Sequence, residues 1–151
     1  MATVLQGSGM TLDDNKHIAR RFIQEVFVHV DPAAVDELVS EDFTPHSWGD
    51  MPAGREALKA AQERVRQGLG DARMEIHDVI AEGDRVAVRL TSHGTHTGEF
   101  MGMPATGKSY AISEIHIFRI QDGKVAEHWR DADMLGMLRQ LGMFPAPGGS
   151  D

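Results

Sequence analysis

The chain of 151 residues contains no cysteine. That removes disulfides, thiol nucleophiles and cysteine-ligated metals, and it fits a reducing cytoplasm, the expected location. Positive charge is also scarce: 15 Lys and Arg stand against 23 Asp and Glu, a formal net charge of −8. That balance argues against nucleic acid and anionic membrane surfaces as partners. No apolar run approaches the roughly 20 residues of a membrane-spanning helix. The start MATVLQGSGM has no basic region followed by an apolar core, so it does not read as a secretory signal. Also missing are the GxxxxGK(S/T) phosphate loop, a strand–GxGxxG–helix context and the zinc-binding HExxH. What is present is an ordinary globular mix, 41% hydrophobic and 25% charged, long enough for one domain with a real core.

Thr11 to Phe27 reads as a first helix, with Thr11 as its cap and Ile18, Phe22, Ile23 and Val26 at helical spacing. Asp31-Pro32 restarts a short helix whose apolar side is Ala34, Val35 and Leu38. Glu41 to Met51 has no pattern of its own, and Pro45 breaks regular pairing. His46 and Trp48 lie there. Loops on a scaffold often carry binding groups, so both are pocket candidates, although a Trp there could simply plug the core. Gly54 to Leu69 is a third helix on the stripe Leu58, Ala61, Val65 and Leu69, with Gly70 as its C-terminal cap. From Arg73 the period changes to two, with Met74, Ile76, Asp78 and Ile80 on one side. Val86, Val88 and Leu90 mark a second strand reaching about His96; His77 and His93 read as surface residues. The connection Gly98–Gly107 carries Phe100, Met101 and Met103, either as a lid over something apolar or packed inward.

Ser109 to Asp133 forms the centre of the reading: two strands joined at Asp122-Gly123. A two-residue turn would set His116 opposite Trp129. A three-residue loop with Gly123 in a bulge would instead pair His116 with His128 and Glu114 with Arg130, and this register is preferred. It gathers Glu114, His116, His128 and Arg130 on one face beside Phe118. Such a face suits either the floor of a half-polar pocket or a solvated sheet surface.

Asp133 then caps a last short helix. Residues 1–10 read as a disordered or expression-derived start, 11–143 as one domain, and 144–151 as a flexible tail. Three helices, four meandering strands and a short helix make an α+β arrangement. A strongly curved, mainly antiparallel sheet with the N-terminal helices packed on it would form a cone with one open end.

The stretch Phe118 to Trp129, FRIQDGKVAEHW, followed by Asp133-Met134-Leu135-Gly136 and Arg139-Gln140-Leu141-Gly142, resembles the SnoaL-like polyketide cyclase family. His96-Thr97-Gly98 through Gly102-Met103-Pro104, and Asp42-Phe43, His46 and Gly54-Arg55-Glu56, add to it. The resemblance covers roughly Ile18 to Gly142. It implies an NTF2-like cone, an apolar pocket and a homodimer. It also implies an intramolecular aldol cyclisation of a polyketide-like substrate without metal or organic cofactor. Relatives include cofactor-independent hydroxylases. Under the resemblance His116 matches a family pocket histidine, His96 a histidine next to the loop and His128 a histidine on the last strand, and Glu114 stands where a family cyclase has a pocket glutamine. Arg130 occupies the place of the family's acid/base aspartate, with Asp131 one residue on and facing away unless a bulge intervenes. Pro45 or His46 lies where those cyclases have a pocket asparagine.

Aldol chemistry needs a base for a proton beside a carbonyl and a donor for the enolate oxygen. Arg130 stays protonated and can only stabilise charge. The base is then His116 or Glu114. The reading places His116 as acid/base, Glu114–Arg130 as an orienting pair, and His46, Trp48, His96, Phe100, Met101, Phe118 and His128 around the substrate. Alternatives are a hydroxylase of the same family and a non-catalytic small-molecule binding protein. A zinc cluster of His46, His96, His116 and His128 is a further but weaker possibility.

Overall fold

The computed structural model describes residues 10–143; of the expected start over 1–10 all but Met10, and the expected tail over 144–151, lie outside them. Helix α1 spans Leu12–Arg21. Thr11 and Asp14 form a reciprocal capping box at its start. The helix does not continue unchanged to Phe27 as the spacing predicts. Phe22–Val28 widens into a π-helical segment that ends with His29 N–H donating to the Gln24 carbonyl at 3.0 Å. The widening lets Phe22 and Phe27, five residues apart, pack edge to face at 4.9 Å. Helix α2 (Pro32–Leu38) starts at Asp31, which caps Ala33 N–H. Helix α3 covers Arg55–Gly68 and α4 covers Met134–Gln140, capped by Asp133.

Five strands, rather than four, form one sheet in the order β1-β5-β4-β3-β2. They are β1 (Val39–Pro45), β2 (Leu69–Glu82), β3 (Arg85–His96), β4 (Ser109–Gln121) and β5 (Lys124–Ala132). The additional strand is β1, which pairs parallel to β5 at the sheet edge. Pro45 falls at its last residue, where an edge strand tolerates a missing N–H. Gly70 is not a helix cap: α3 runs directly into β2 through extended Leu69. In β2 the ladder shifts between Ile76 and Asp78. That shift turns Val79 and Ala81 to the core and leaves Ile80 66% exposed, the reverse of unbroken alternation.

The central hairpin corrects the expected register. Asp122 and Gly123 both have positive φ, 51° and 75°, and form a two-residue turn that pairs Gln121 with Lys124. A bulge at Ala126 then adds one residue to β5, so Val125 and Ala126 are both buried. Beyond it Phe118 pairs with His128, His116 with Arg130 and Glu114 with Ala132. The expected pairs are displaced by two residues, which preserves the shared face. Helices α1 and α2, with the π-helical segment, cover this inner face. Phe22 is its fully buried centre, 5.1 Å from the Phe118 ring and 6.0 Å from His128.

Candidate active site

Alternation along β4 and β5 sends Glu114, His116, Phe118, His128 and Arg130 inward. Glu114, His116 and His128 are buried, and each is hydrogen-bonded, as burial of polar groups requires. Trp48 Nε1 donates to His128 Nδ1 at 3.0 Å. His128 Nε2 and His116 Nδ1 lie 2.9 Å apart. His116 Nε2 meets Glu114 Oε1 at 2.8 Å. Arg130 grips the same carboxylate with two donors, Nε to Oε1 at 3.0 Å and Nη2 to Oε2 at 3.1 Å. The Glu114 side chain is 2% exposed and that of Arg130 30%, so the pair is buried at its anionic end and open at its cationic end.

Burial pushes the Glu114 carboxyl up, but hydrogen bonds from His116 and Arg130 outweigh it and hold the group at about 2. Burial lowers His116, against a counter-pull from Glu114. Burial and the neighbouring His116 and Arg130 hold His128 well below the usual histidine range. Both imidazoles are neutral at pH 7, and Glu114 is a carboxylate.

One cavity opens on this floor and a second lies beside it. The inner one, about 180 Å³, is lined by Glu114, His116, Arg130, Tyr110, Phe27 and Met137, among others. The outer cleft, about 1070 Å³, lies along α3 and is bordered by Met51, Arg64, Glu99 and Met101. Trp48, Val65 and Phe100 line both and form the wall between them. Phe100 therefore points inward at the pocket, while Met101 rims the outer cleft.

Several expected substrate contacts lie elsewhere. His46 is on the opposite face of the sheet, stacked on Trp129 at 4.6 Å and bonded to Glu127 at 2.8 Å. Phe118 and His128 lie behind the pocket rather than on its surface. His96 is buried with Nδ1 facing the Thr106 hydroxyl at 3.0 Å. The four histidines weighed as a zinc cluster are thus divided between two faces, and among the described residues no group of three or more His, Asp or Glu is placed to hold a metal. His93, read as a surface residue, borders the inner cavity, where the β2–β3 ladder shifts register near Arg73. Sequence reasoning missed Ser92 and Tyr110, which line the inner cavity. Both lie on the inward parity of their strands, and alternation alone would have found them.

The match to the SnoaL-like polyketide cyclase pattern runs over residues 17–141. The chain belongs to the SnoaL-like polyketide cyclase family. An aklanonic acid methyl ester cyclase of Streptomyces peucetius is 38% identical over 98 residues, which cover 64% of this chain and 68% of the relative. A nogalonic acid methyl ester cyclase of Streptomyces nogalater is 38% identical over 72 residues, 48% of this chain and 54% of the relative. The solved structure of TsrD from Streptomyces laurentii superposes with a TM-score of 0.81 at 28% identity, covering 89% of this SnoaL-like chain and 99% of the other. The α+β architecture expected from the sequence is the one found here and shared with that solved structure.

Proposed function

We propose that this protein is a polyketide cyclase that closes a ring by an intramolecular aldol-type step, using its own side chains as acid, base and charge stabiliser. The observation that carries the reading is the buried Glu114 carboxylate, held between His116 and Arg130 at the floor of a pocket on a cyclase scaffold. Glu114 takes the proton from a carbon next to a carbonyl, and the electron pair moves onto the carbonyl oxygen. Arg130, the exposed partner, turns to that oxygen and stabilises the enolate. In leaving Glu114 it removes two of the donors that hold the carboxyl down, and burial then raises its basicity at the moment a base is needed. The enolate carbon attacks a second carbonyl, and the new alkoxide takes the proton back. The sum is an isomerisation that calls for no oxidant, metal or organic cofactor. His116, first assigned as the acid/base group, acts in this scheme with Glu114 as one unit, because both of its nitrogens are engaged.

The inner cavity of about 180 Å³ is below the roughly 300 to 1,000 Å³ of ordinary ligand sites. The ring-closing end of the substrate therefore enters it, and the remaining apolar body occupies the outer cleft. The substrate class is a polyketide methyl ester of the kind named for the relatives, or a related apolar carbonyl compound.

The protein acts in the cytoplasm as a homodimer joined through the outer sheet face. Supporting this, Ile80, Ala87, Ile117 and Trp129 form a cross-strand row there, with Ile115 beside it 50% exposed. Among the described residues no helix is long and apolar enough to cross a membrane.

The deciding experiment incubates the protein with aklanonic acid methyl ester and with nogalonic acid methyl ester, following products by chromatography and mass spectrometry. An isobaric cyclised product, lost with Glu114→Gln by about 10²-fold or more, is the expected result. Tight binding of both esters without turnover would instead establish a binding protein.

A further inference from the structure

Trp48, His128, His116, Glu114 and Arg130 form an unbroken line of hydrogen bonds, and both ends of the line dictate the same direction. The indole N–H of Trp48 can only donate, so His128 Nδ1, 3.0 Å away, carries a lone pair. Neutral His128 then holds its hydrogen on Nε2 and donates to His116 Nδ1 at 2.9 Å. Neutral His116 in turn donates from Nε2 to Glu114 Oε1 at 2.8 Å. The opposite tautomers would set a histidine lone pair against the Glu114 carboxylate and leave the Trp48 N–H against another N–H. His116 and His128 are both fully buried, so a misdirected hydrogen has no water to turn to.

We infer that Trp48 is a positioning residue that fixes, through His128, the hydrogen on the Glu114 side of His116. It also closes the line. A proton relay needs a terminal group that can give and take a proton, and an indole N–H cannot take one. The two histidines are therefore an orienting device, and the proton exchanged with substrate stays on Glu114. This rests on Glu114 as the acid/base group of the proposed cyclase, but the geometry of the line is measurable without turnover. Trp48 belongs to the wall between the two cavities, so the group that sets the hydrogen placement also faces the bound substrate.

The test is nitrogen-15 NMR of the full chain labelled at histidine, reading the protonation of each ring nitrogen through its ring protons. In the unmodified protein His116 and His128 are both expected with bare Nδ1 and protonated Nε2. In Glu114→Gln the anion is gone and Trp48 remains, so both rings keep that pattern while the introduced amide carbonyl accepts from His116. In Trp48→Phe combined with Glu114→Gln neither end constrains the line, and the His128 Nδ1 signal moves toward the protonated range. His96 is the internal control, because the backbone N–H of Thr106 lies 3.2 Å from its Nδ1 and fixes that ring independently. A protonated Nδ1 on His116 or His128 in either the unmodified protein or Glu114→Gln overturns the inference. So does an unchanged single tautomer in the double variant with the His96 pattern intact. The first two spectra decide the matter even if the double variant does not fold. Absence of cyclase turnover would leave these spectra unaltered, so the two readings fail separately.

Discussion

Replacing Arg130 by methionine keeps much of the side-chain volume and removes the cation from a carboxylate that cannot reach water. Breaking a buried pair from one side typically costs about 3 to 5 kcal/mol. Arg130 is 30% exposed at its outer side, and His116 still donates to Glu114, so the expected loss at pH 7 is about 2 to 3 kcal/mol. Its pH dependence is the sharper signature. In the unmodified protein Glu114 sits at about 2 against an ordinary 4.5, so its contribution is present above pH 4.5 and lost as the pH falls toward 2. In Arg130→Met burial is opposed by fewer donors, the carboxyl moves up, and the variant recovers by protonating it. The stability gap should be constant near neutrality and then narrow by about 1.4 kcal/mol for each pH unit below the variant's new Glu114 pKa. A loss of about 2 to 3 kcal/mol corresponds to a rise of about two pH units in the Glu114 pKa, so the narrowing falls below about pH 4. Urea unfolding at pH 7, 4 and 3 measures it, and Glu114→Gln in the same background should erase the pH dependence. A gap that stays the same from pH 7 to pH 3 would refute the reasoning, because it would mean Arg130 acts by packing and not by charge.

Phe22→Ala should cost about 3 to 5 kcal/mol by denaturant unfolding, since its ring is fully buried and touches Phe27, Phe43, Phe118 and His128. A loss below about 1 kcal/mol would mean that the helical cover collapses to fill the space. A Cβ added at Gly98 would collide with the backbone carbonyl of Gln67 at the end of α3. Gly98→Ala should therefore push the connection bearing Phe100 away from the pocket wall and weaken binding of the proposed ligand, aklanonic acid methyl ester, by calorimetry. Unchanged affinity would show that this connection does not hold the substrate.

The inward face of the hairpin was legible because alternation depends only on parity, and every register with the same parity puts Glu114, His116, His128 and Arg130 together. Which residues stand directly opposite was not. Val125 and Ala126 are both apolar enough to be buried, so their composition cannot reveal that the strand gains a residue there. Strand β1 was hidden because it is short, parallel and ends in proline, features that read as a loop until β5 supplies the partner. His46 is one residue past that strand, and its direction is set by stacking on Trp129 across the sheet, a contact 83 positions away in the chain. The π-helical turn left its trace only in the five-residue spacing of Phe22 and Phe27, which a helical template treats as ordinary scatter.

The extra residue at Ala126 gives this strand slack in both directions of length. Losing Ala126 would iron the strand flat, and His128 and Arg130 would still look inward. Gaining one residue between the turn and His128 would let it and the bulged residue fill a regular pair, which sets His128 opposite His116 and Arg130 opposite Glu114 on the same face. The charges at the pocket floor are thus buffered against a single-residue change of length in the strand that carries them.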